Sequence, residues 1–400
     1  MPHSEKPRIF HLDLAYTKGW SGGDNCTFET IKYFTDKPVE NIHITTERCR
    51  AVYEEKGIRE QDGLTFTTVP DFCEKPDGFE LFKAYFRRIR AVRPILKNID
   101  WKKDDVVILH NEFFVNTIPG LIPTKAGCRM FYWIHMISPD LFKGFSGQFT
   151  HTRHIPDPAF IHYWLSQRLC AFLMTPNGKS ISHNPYYAEL IPKLFPKCPY
   201  ELIYPYSGVD PRFRSSAPAA TFDYDCVWLG RFHAQKGLFD AIDTVAFMKK
   251  RKPDIRLALI GSGSEEMEKT VREKIEELEL TENIILLGAL FDREKYEALR
   301  RAKVYLMTSH FEGYCNVMVE ALTMGLPVVA YDAPFHRVFT AGVIKVPMQD
   351  VHQLAESTLE LLGNEKRRAE LSAAAFEAGN RHTWEYVAEQ TYKIARSTDG

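Results

Sequence analysis

The sequence predicts an α/β protein built from two Rossmann-like halves. Short apolar runs of strand length alternate with longer amphipathic segments along nearly all of the 400 residues. That alternation is typical of parallel sheets with helices on both faces. The length also exceeds what one hydrophobic core usually supports. The alternation lapses once, in the Pro-, Ser-, Ala- and Asp-rich stretch 205–224, and this composition is typical of a domain boundary.

The strand candidates follow one another at regular intervals. In the first half they are 8–12, 41–45, 64–69, 106–110, 129–134, 170–174 and 201–204. In the second half they are 226–229, 256–260, 283–287, 304–307 and 327–330. An amphipathic helix is predicted over 265–278, because its apolar residues Met267, Val271, Ile275 and Leu278 share one face.

These patterns predict four segments of the chain. Residues 1–205 form a first Rossmann-like domain, 206–224 a linker, 225–380 a second domain and 381–400 a terminal helix. Doubly wound sheets bind ligands at the carboxyl ends of their strands. We therefore expect a ligand in a cleft between the two domains.

Composition excludes several classes of protein. The net charge of -1 argues against a general nucleic-acid binder, which needs a strong basic excess. The eight cysteines are scattered without a C-x-x-C pair, so neither a zinc ribbon nor a disulfide framework is indicated. No apolar run approaches the roughly 20 residues of a membrane helix, and the start has no signal-peptide pattern. A cytoplasmic location is the expectation.

The first polar turn of the second half carries two basic residues. In "WLGRFHAQKG" the strand ends before Gly230 and Arg231, and Lys236 precedes a helix that opens at Leu238. Glycine lets a backbone approach a ligand, and a helix start offers N–H groups to an anion. With two positive charges at the same edge, the turn suits a diphosphate. An ordinary surface turn with solvated Arg and Lys is the alternative.

The second turn, "LIGSGSEEME", has only part of a dinucleotide fingerprint. Gly261 and Gly263 follow the strand, but Glu266 stands at the third glycine position, where a carboxylate would repel a pyrophosphate. We expect this turn to form a wall of a nucleotide pocket. The incomplete fingerprint argues against an NAD-dependent oxidoreductase.

The third turn carries Glu312 before a helix and Glu320 inside it. The backbone that enters this helix comprises Gly313, Tyr314, Cys315, Asn316 and Val317. Its N–H groups can receive phosphate. The carboxylates would repel phosphate but can accept pairs of hydrogen bonds from vicinal hydroxyls. We expect Glu320 at a ribose diol and Glu312 at a sugar beyond the diphosphate. A loop glutamate and a glutamate on a helix surface are the alternative.

Arg231, Lys236, Glu312 and Glu320 agree in order, spacing and strand-to-helix context with one family. The chain resembles the retaining glycosyltransferases of family 4, which have the GT-B fold. The resemblance implies that the Arg and Lys hold the donor diphosphate, that the first glutamate lies against the transferred sugar, and that the second binds the ribose. It covers the second half densely and the first half thinly.

Fainter parts of the resemblance lie in the first half. In "WSGGDNCT", Gly22 and Gly23 resemble the glycine pair that the family carries near the donor phosphates and the acceptor, which leaves Asp24 without a role. His135, at a predicted strand end, resembles the family's active-site histidine, and His110 competes for that place. The helix opened by Trp384 resembles the final helix of the fold, which crosses back onto the first domain.

Two patterns suggest metals and are interpreted otherwise. Asp223 and Asp225 form a D-x-D, the metal motif of a different glycosyltransferase fold, and we expect a structural role for them. His151, His154 and His162 lack acidic or Cys partners nearby in the sequence, so we expect no metal there.

The segment 79–92 is amphipathic and basic. Lys83, Arg87 and Arg90 line one face of the predicted helix, and Phe82, Phe86 and Ile89 line another. Pro94 is expected to stop or kink this helix. A solvated surface helix is one interpretation. Contact with anionic lipid or with a lipid-linked acceptor is the other.

The expected activity is transfer of a sugar, with retention, from a nucleotide-sugar donor (UDP-, GDP- or another) to a hydroxyl acceptor such as a glycan, a glycolipid or a small molecule. His135, Arg231, Lys236 and Glu312 are the expected catalytic groups. No metal and no cofactor beyond the donor are expected. A nucleotide-sugar epimerase of similar fold is the alternative, and it would convert the donor without an acceptor.

Overall fold

The structure is a computed structural model. It describes residues 6–16, 21–61, 63–73, 78–138, 140–144, 158–175, 178–214 and 221–397. The described residues fall into two compact units. The first comprises those within 6–144, 158–206 and 384–397, and the second those within 207–383. Each unit has its own parallel sheet and its own hydrophobic core.

The first unit alternates strands and helices from its start. Its elements are β1 (Arg8–Asp13), α1 (Gly22–Thr35), β2 (Glu40–Thr46), α2 (Glu47–Glu55), β3 (Leu64–Val69), α3 (Gly78–Asn98), β4 (Val106–Leu109), α4 (Phe114–Ala126), β5 (Arg129–Trp133), α5 (Pro158–Leu173), β6 (Gly178–Ser182), α6 (Ile191–Leu194) and β7 (Tyr200–Leu202). The seven strands form one sheet in the order β3-β2-β1-β4-β5-β6-β7, and every pair is parallel.

The second unit repeats this plan with six strands. Its elements are β8 (Tyr224–Leu229), α7 (Leu238–Lys249), β9 (Leu257–Ile260), α8 (Glu265–Glu277), β10 (Ile284–Gly288), α9 (Asp292–Arg300), β11 (Ala302–Met307), α10 (Asn316–Thr323), β12 (Val328–Tyr331), β13 (Val343–Val346), α11 (Val351–Gly363) and α12 (Glu365–Asn380). The sheet order is β10-β9-β8-β11-β12-β13, again all parallel. β9 and β12 are wholly buried, as central strands covered on both faces should be.

The last helix, α13 (Trp384–Arg396), belongs to the first unit. It packs on α1, where the ring of Tyr392 lies 5.1 Å from that of Phe34 and 6.3 Å from that of Tyr33. Its buried residues are Val387, Ala388, Thr391 and Ala395, whose spacing gives a helix one apolar face. Hydrophobic burial along that face therefore attaches the end of the chain to its beginning.

The structure departs from the sequence predictions at three elements. The run 170–174 is not a strand, because Cys170–Leu173 ends α5 and the strand is β6, further on. A five-residue apolar run cannot be distinguished by periodicity from a buried helix segment. Strand β13 was not predicted, since "VIKV" is short, half-exposed and at the sheet edge.

The third departure concerns the end of α3, where Pro94 was expected to stop or kink the helix. Pro94 does not stop this helix, which continues to Asn98. Pro94 itself is exposed, while Val92 and Leu96 on the opposite side are buried in the core. Their burial offsets the backbone hydrogen bond that a proline removes.

Among the described residues, no helix combines the length and the apolar character needed to cross a bilayer.

Candidate functional site

The three polar turns of the second unit lie side by side, because their strands are neighbours in the sheet order β9-β8-β11. Backbone hydrogen bonds join them. Gly230 N–H donates to the carbonyl of Ile260 (3.0 Å), and Phe232 N–H donates to that of Ser262 (2.9 Å). On the other side, His310 N–H donates to the carbonyl of Gln235 (2.8 Å). One edge of the sheet thus gathers residues that are far apart in the chain.

Two glycines make this close approach possible. Gly237 has a φ of +63°, and a Cβ on it would lie 1.9 Å from the carbonyl oxygen of Thr308. Gly261 has a φ of +143°, and its Cβ would lie 1.8 Å from the oxygen of Gly230. Both the left-handed backbone and the contact exclude a side chain. Gly263, the second glycine of the same turn, lies against Phe232.

Lys236 and Glu312 form an ion pair at this edge. The Nζ atom of Lys236 lies 2.7 Å from Oε1 and 2.8 Å from Oε2 of Glu312. The hydroxyl of Ser309 also donates to Oε1 (2.7 Å). Glu312 is buried and Lys236 half-buried, whereas Arg231 is exposed at the mouth of its turn. The two charges that were assigned to different parts of a donor are therefore in direct contact here.

Helix α10 begins at Asn316, with Cys315 as its N-cap in the left-handed region at a φ of 70°. Its first turn closes when Met318 N–H donates to the carbonyl of Cys315 (3.0 Å). At a helix start, the amides that precede this bond, here those of Asn316 and Val317, have no intrahelical acceptor. The turn is thus suited to bind an anion.

The Cys315 side chain helps to hold this turn. His336 Nδ1–H donates to the carbonyl of Tyr331 (2.9 Å), so its Nε2 is an acceptor for the thiol of Cys315 (3.1 Å). Burial lowers the pKa of His336 to about 4 and raises the pKa of the Cys315 thiol well above its ordinary value. The pair is therefore a neutral thiol–imidazole hydrogen bond and not an activated nucleophile.

Glu320 lies inside α10 and is buried. Its Oε1 accepts a hydrogen bond from Lys295 Nζ (2.6 Å) and is 3.4 Å from the hydroxyl of Tyr296, both on α9. Burial, and then the nearby Glu320 carboxylate, raise the pKa of Tyr296. Glu320 is thus held in place by a lysine that sequence reasoning did not include.

In the first unit, the candidate residues meet at the start of α1. Gly22 and Gly23 are its first residues, and a Cβ on Gly23 would lie 3.5 Å from the His135 ring. Asp24 has a structural role: its carboxylate accepts from Ser21 N–H (2.7 Å), and its own N–H donates to the Ser21 hydroxyl (3.3 Å). This reciprocal capping box fixes the helix start beside the histidine.

His135 is half-buried and stacks on Trp133, with ring centroids 5.3 Å apart. Its Nε2–H donates to the carbonyl of His110 (2.9 Å), so Nδ1 carries the lone pair. Burial lowers its pKa to about 4, which keeps the ring neutral at physiological pH. His110 is fully buried and its ring is hydrogen-bonded to His11 (2.7 Å). His110 therefore supports His135 through its carbonyl.

A buried carboxyl group holds the backbone of His135. Glu112 accepts from the N–H of His135 (3.2 Å) and is 3.2 Å from the hydroxyl of Tyr163. Burial raises the pKa of Glu112 to about 7. Gln167 fastens the same loop, donating to the carbonyl of Met136 (2.6 Å).

The residues of the two metal-like patterns have partners within the protein where the structure describes them. Asp225, in β8, accepts from Lys303 (2.9 Å) and is 3.4 Å from Lys252, while Asp223 pairs with Arg301. Both lie at the strand end opposite the three turns. His162 packs among aromatic rings on α3 and α4, and His151 and His154 lie outside the described residues.

One buried group in the first unit has the donor types of a metal site. Asp13, His43 and Cys49 each place a ligand atom within 4.8 Å of the others. The thiol would have to ionise to bind, yet burial and the Asp13 carboxylate raise the Cys49 pKa well above its ordinary value. His43 packs between Tyr53 and Phe66, with ring centroids at 5.0 and 5.5 Å. This cluster does not favour a metal.

Supporting residues that sequence reasoning missed share one property. No local motif marks them, and all but Ser309, which is three residues before Glu312, reach the candidate side chains from distant parts of the chain. They are Lys295, Tyr296, Ser309 and His336 in the second unit, and Glu112, Tyr163 and Gln167 in the first. Only Glu112 carried a signal, because this acidic residue lies three positions after the end of the buried strand β4.

Comparisons with known proteins find a family match within the second unit. Residues 211–378 match the family described as "Glycosyl transferases group 1". The phosphatidyl-myo-inositol mannosyltransferase of Mycobacterium leprae is 32% identical over 197 residues, which cover 47% of this chain and 51% of that protein. The poly(glycerol-phosphate) alpha-glucosyltransferase of Bacillus subtilis is 26% identical over 182 residues, covering 43% and 26%. The chain thus spans about half, or less, of the curated relatives it matches.

Solved structures resemble the chain over nearly its whole length. HepE of Anabaena, in complex with UDP and glucose, superimposes with a TM-score of 0.69 at 16% identity, covering 97% of this chain and 99% of that one. Sucrose-phosphate synthase of Thermosynechococcus elongatus has a TM-score of 0.74 at 14% identity, covering 98% of each. At these identities the similarity shows the fold. The second unit is similar to the glycosyl transferases group 1 family, and the chain has the GT-B fold.

Proposed function

We propose that this protein is a retaining glycosyltransferase that moves a sugar from a nucleotide-sugar donor to a hydroxyl acceptor. The observation that carries the proposal is the meeting of Lys236, Glu312 and the start of α10 at one sheet edge. Glycosyl transfer leaves negative charge on the departing diphosphate, and fixed cations and helix amides lower the energy of that charge. The family match of this unit supports the same activity.

The donor would lie along the three turns of the second unit. Arg231, Lys236 and the amides of Asn316 and Val317 would hold the diphosphate. Glu320 would accept hydrogen bonds from the ribose hydroxyls, since its hydrogen bonds with the described residues Lys295 and Tyr296 are both made through Oε1. Glu312 would face the transferred sugar. A uridine donor is favoured by analogy, because the structurally similar HepE binds UDP.

The first unit would bind the acceptor near His135. Its neutral ring, with the lone pair on Nδ1, can accept a hydrogen bond from a hydroxyl group. Gly22 and Gly23 at the start of α1 leave room for a ligand backbone or sugar beside the ring. The relatives named for lipid-linked and polymeric acceptors support a glycolipid or glycan acceptor. A cytoplasmic location stays a prediction from composition.

The decisive experiment is a donor and acceptor screen with stereochemical readout. The protein is incubated with UDP- and GDP-sugars and a panel of hydroxyl acceptors, and the anomeric configuration of new product is read by NMR before it equilibrates. Retention of the donor configuration in an acceptor-linked product is expected. An inverted product would refute the retaining mechanism, and donor converted to its epimer without acceptor would replace the proposal with an isomerase.

Transfer is expected to need no divalent cation. The only acidic pair with a metal-like motif, Asp223 and Asp225, is bonded to lysines and an arginine away from the turns. Activity assayed with EDTA should therefore equal activity without it. Loss of activity in EDTA that manganese restores would contradict this expectation.

A further inference from the structure

The first unit exposes large apolar side chains on two neighbouring helices. On α3, Phe82 is exposed and Phe86 is 50% exposed. On α5, Leu165 is 54%, Leu169 38% and Phe172 71% exposed. Single exposed apolar residues are ordinary, but a contiguous group marks an interaction surface. We call these five residues the α3–α5 surface.

Helix α5 is unusual for a helix with an exposed face. In "PAFIHYWLSQRLCAFL" the one charged residue is Arg168, and the polar residues Ser166 and Gln167 are buried. A helix with so few polar residues on its surface is normally buried on every side. Here Cys170 and Phe160 are buried, while Leu165, Leu169 and Phe172 face outward along one stripe. The exposed stripe therefore consists of apolar side chains, with the half-buried Arg168 at its side.

Helix α3 adds positive charge beside this stripe. Its buried face is formed by Ala84, Tyr85, Arg88, Val92 and Leu96. Phe82 and Phe86 lie about a third of a turn around the helix from this buried face, so they do not enter the core. The exposed side carries Lys83, Arg87, Arg90, Arg93 and Lys97. Among the described side chains of this helix, the one acidic residue is Glu80, which pairs with Lys83 at 2.6 Å.

The two helices meet through their aromatic residues. The Phe82 ring lies 5.4 Å from that of His162 on α5, and 4.8 Å from that of Phe86. Leu165 and Leu169 follow His162 at helical spacing, so they lie on the same side of α5. At the far end of the stripe, Lys197 lies over the Phe172 ring, with its Nζ 5.1 Å from the centroid. The apolar stripe is thus continuous across both helices and bordered by cations.

We propose that the α3–α5 surface docks the protein on an anionic lipid bilayer. Phe82, Phe86 and the α5 stripe would enter the boundary between headgroups and acyl chains, and the basic side of α3 would contact lipid phosphates. Charge complementarity selects this occupant: a row of exposed Lys and Arg beside an uncharged stripe matches a negative surface above hydrocarbon. A second copy of the chain would bring the same basic rows together and repel. Docking through this surface does not depend on the proposed catalysis.

Vesicle flotation tests the proposal with the full chain. Phosphatidylcholine vesicles with and without phosphatidylglycerol are used, and bound protein is measured at low and high salt. The protein is expected to float with the anionic vesicles, at least about 10-fold more than with neutral ones, and to be released by salt. Phe86→Ser with Phe172→Ser, and separately Arg87→Glu with Arg90→Glu, should each lower binding about 10-fold or more.

Matched variants on the second unit control for general effects. Phe291→Ser removes an equally exposed aromatic residue, and Lys269→Glu with Lys366→Glu reverses two exposed charges. Both should float like the wild type, and thermal unfolding should show that every variant is folded. Absence of flotation, equal binding to neutral vesicles, or wild-type binding by the α3 and α5 variants would overturn the proposal. So would a concentration-dependent dimer that the Phe86→Ser, Phe172→Ser variant loses while its vesicle binding persists.

Discussion

Lys236 and Glu312 neutralise one another in this structure, and the pairing changes what a substitution of either residue does. A diphosphate must compete with the Glu312 carboxylate for the Lys236 ammonium, since Nζ contacts both carboxylate oxygens. Charge-assisted hydrogen bonds are about twice as strong as neutral ones. The ion pair therefore sets the availability of the cation that would hold the donor.

The basic residues should contribute strongly to diphosphate binding. Loss of a charge-assisted bond costs about 1.5–3 kcal/mol, so Lys236→Ala and Arg231→Ala should each weaken nucleoside diphosphate binding roughly 10-fold or more. Calorimetry measures the effect. Lys269→Ala, an exposed lysine on α8, is the control and should bind normally. Unchanged affinity in both variants would remove these residues from the site.

The two glutamates should differ in which ligand they affect. Glu312→Gln keeps the shape but releases Lys236, so free nucleoside diphosphate should bind as tightly as to the wild type, or more tightly. Its turnover should fall steeply, because a carboxylate at the transferred sugar acts most as that sugar becomes positive. Glu320→Ala should weaken both free nucleotide and donor roughly 10-fold or more.

Lys295→Met tests whether Glu320 itself binds the ribose. This variant keeps Glu320 but removes the cation that holds its carboxylate. It should weaken nucleotide binding less than Glu320→Ala does. Calorimetry and initial rates are the readouts. A Glu312→Gln variant that transfers sugar normally, or one that loses nucleotide binding as severely as Glu320→Ala, would refute these roles.

At the scale of elements, the sheet edge works because three turns touch. Gly237→Ala tests this contact: its Cβ would lie 1.9 Å from the Thr308 oxygen, so the turn that carries Lys236 must move away from β11. Gly288→Ala is the matched control, with a similar φ of +70° and nothing within 4 Å of its Cβ. Left-handed strain alone costs roughly 1–2 kcal/mol.

The unfolding free energy should therefore drop further in Gly237→Ala than in Gly288→Ala, and only Gly237→Ala should also lose nucleoside diphosphate affinity. Urea unfolding and calorimetry measure the two effects. Equal loss of stability in the two variants, with nucleotide binding intact in both, would show that the contact between turns does not position Lys236.

At the scale of the whole molecule, buried titratable groups predict how stability depends on pH. Burial lowers the pKa of His11 to about 3 and the pKa of His135 and His336 to about 4. The same cause lowers the pKa of His43, His110 and His183 well below the ordinary value. The unfolded chain binds protons at these residues near pH 6.5. The unfolded state thus holds more protons below that pH, and stability falls with decreasing pH.

Buried acids act in the opposite direction. Burial raises the pKa of Asp13 and Glu112 to about 7, and it also raises that of Asp24. These groups bind protons in the folded state first, so they favour folding as the pH falls from about 7 to about 4. The six histidines outnumber the three acids. The unfolding free energy should therefore decline below about pH 6.5.

Urea unfolding at several pH values checks this sign. Each uncompensated histidine contributes up to about 1.4 kcal/mol per pH unit. His43→Phe, in an aromatic core environment, should make the decline shallower, while His352→Phe, exposed on α11, should not. Stability that rises between pH 6.5 and 5 would show that the buried acids dominate.

The sequence by itself determined the fold class, most strands, helix α8 and the polar turns that meet at one edge of the second sheet. Those features have local causes: apolar periodicity, glycine-bearing turns and helix starts act within a few residues of one another. The family resemblance rested on the same turns, and the match over residues 211–378 lies where these turns are densest.

Only the tertiary structure decided how those side chains are paired and which faces are buried. Lys236 and Glu312 are 76 positions apart, and Lys295 reaches Glu320 from another helix. On α3, periodicity alone favoured Phe82 and Phe86 as an apolar face, yet Arg88 is buried because it donates to the carbonyls of Leu14 and Tyr16 (2.7 Å each). Such contacts depend on the order of strands in the sheet, which brings distant segments together and which no local pattern specifies.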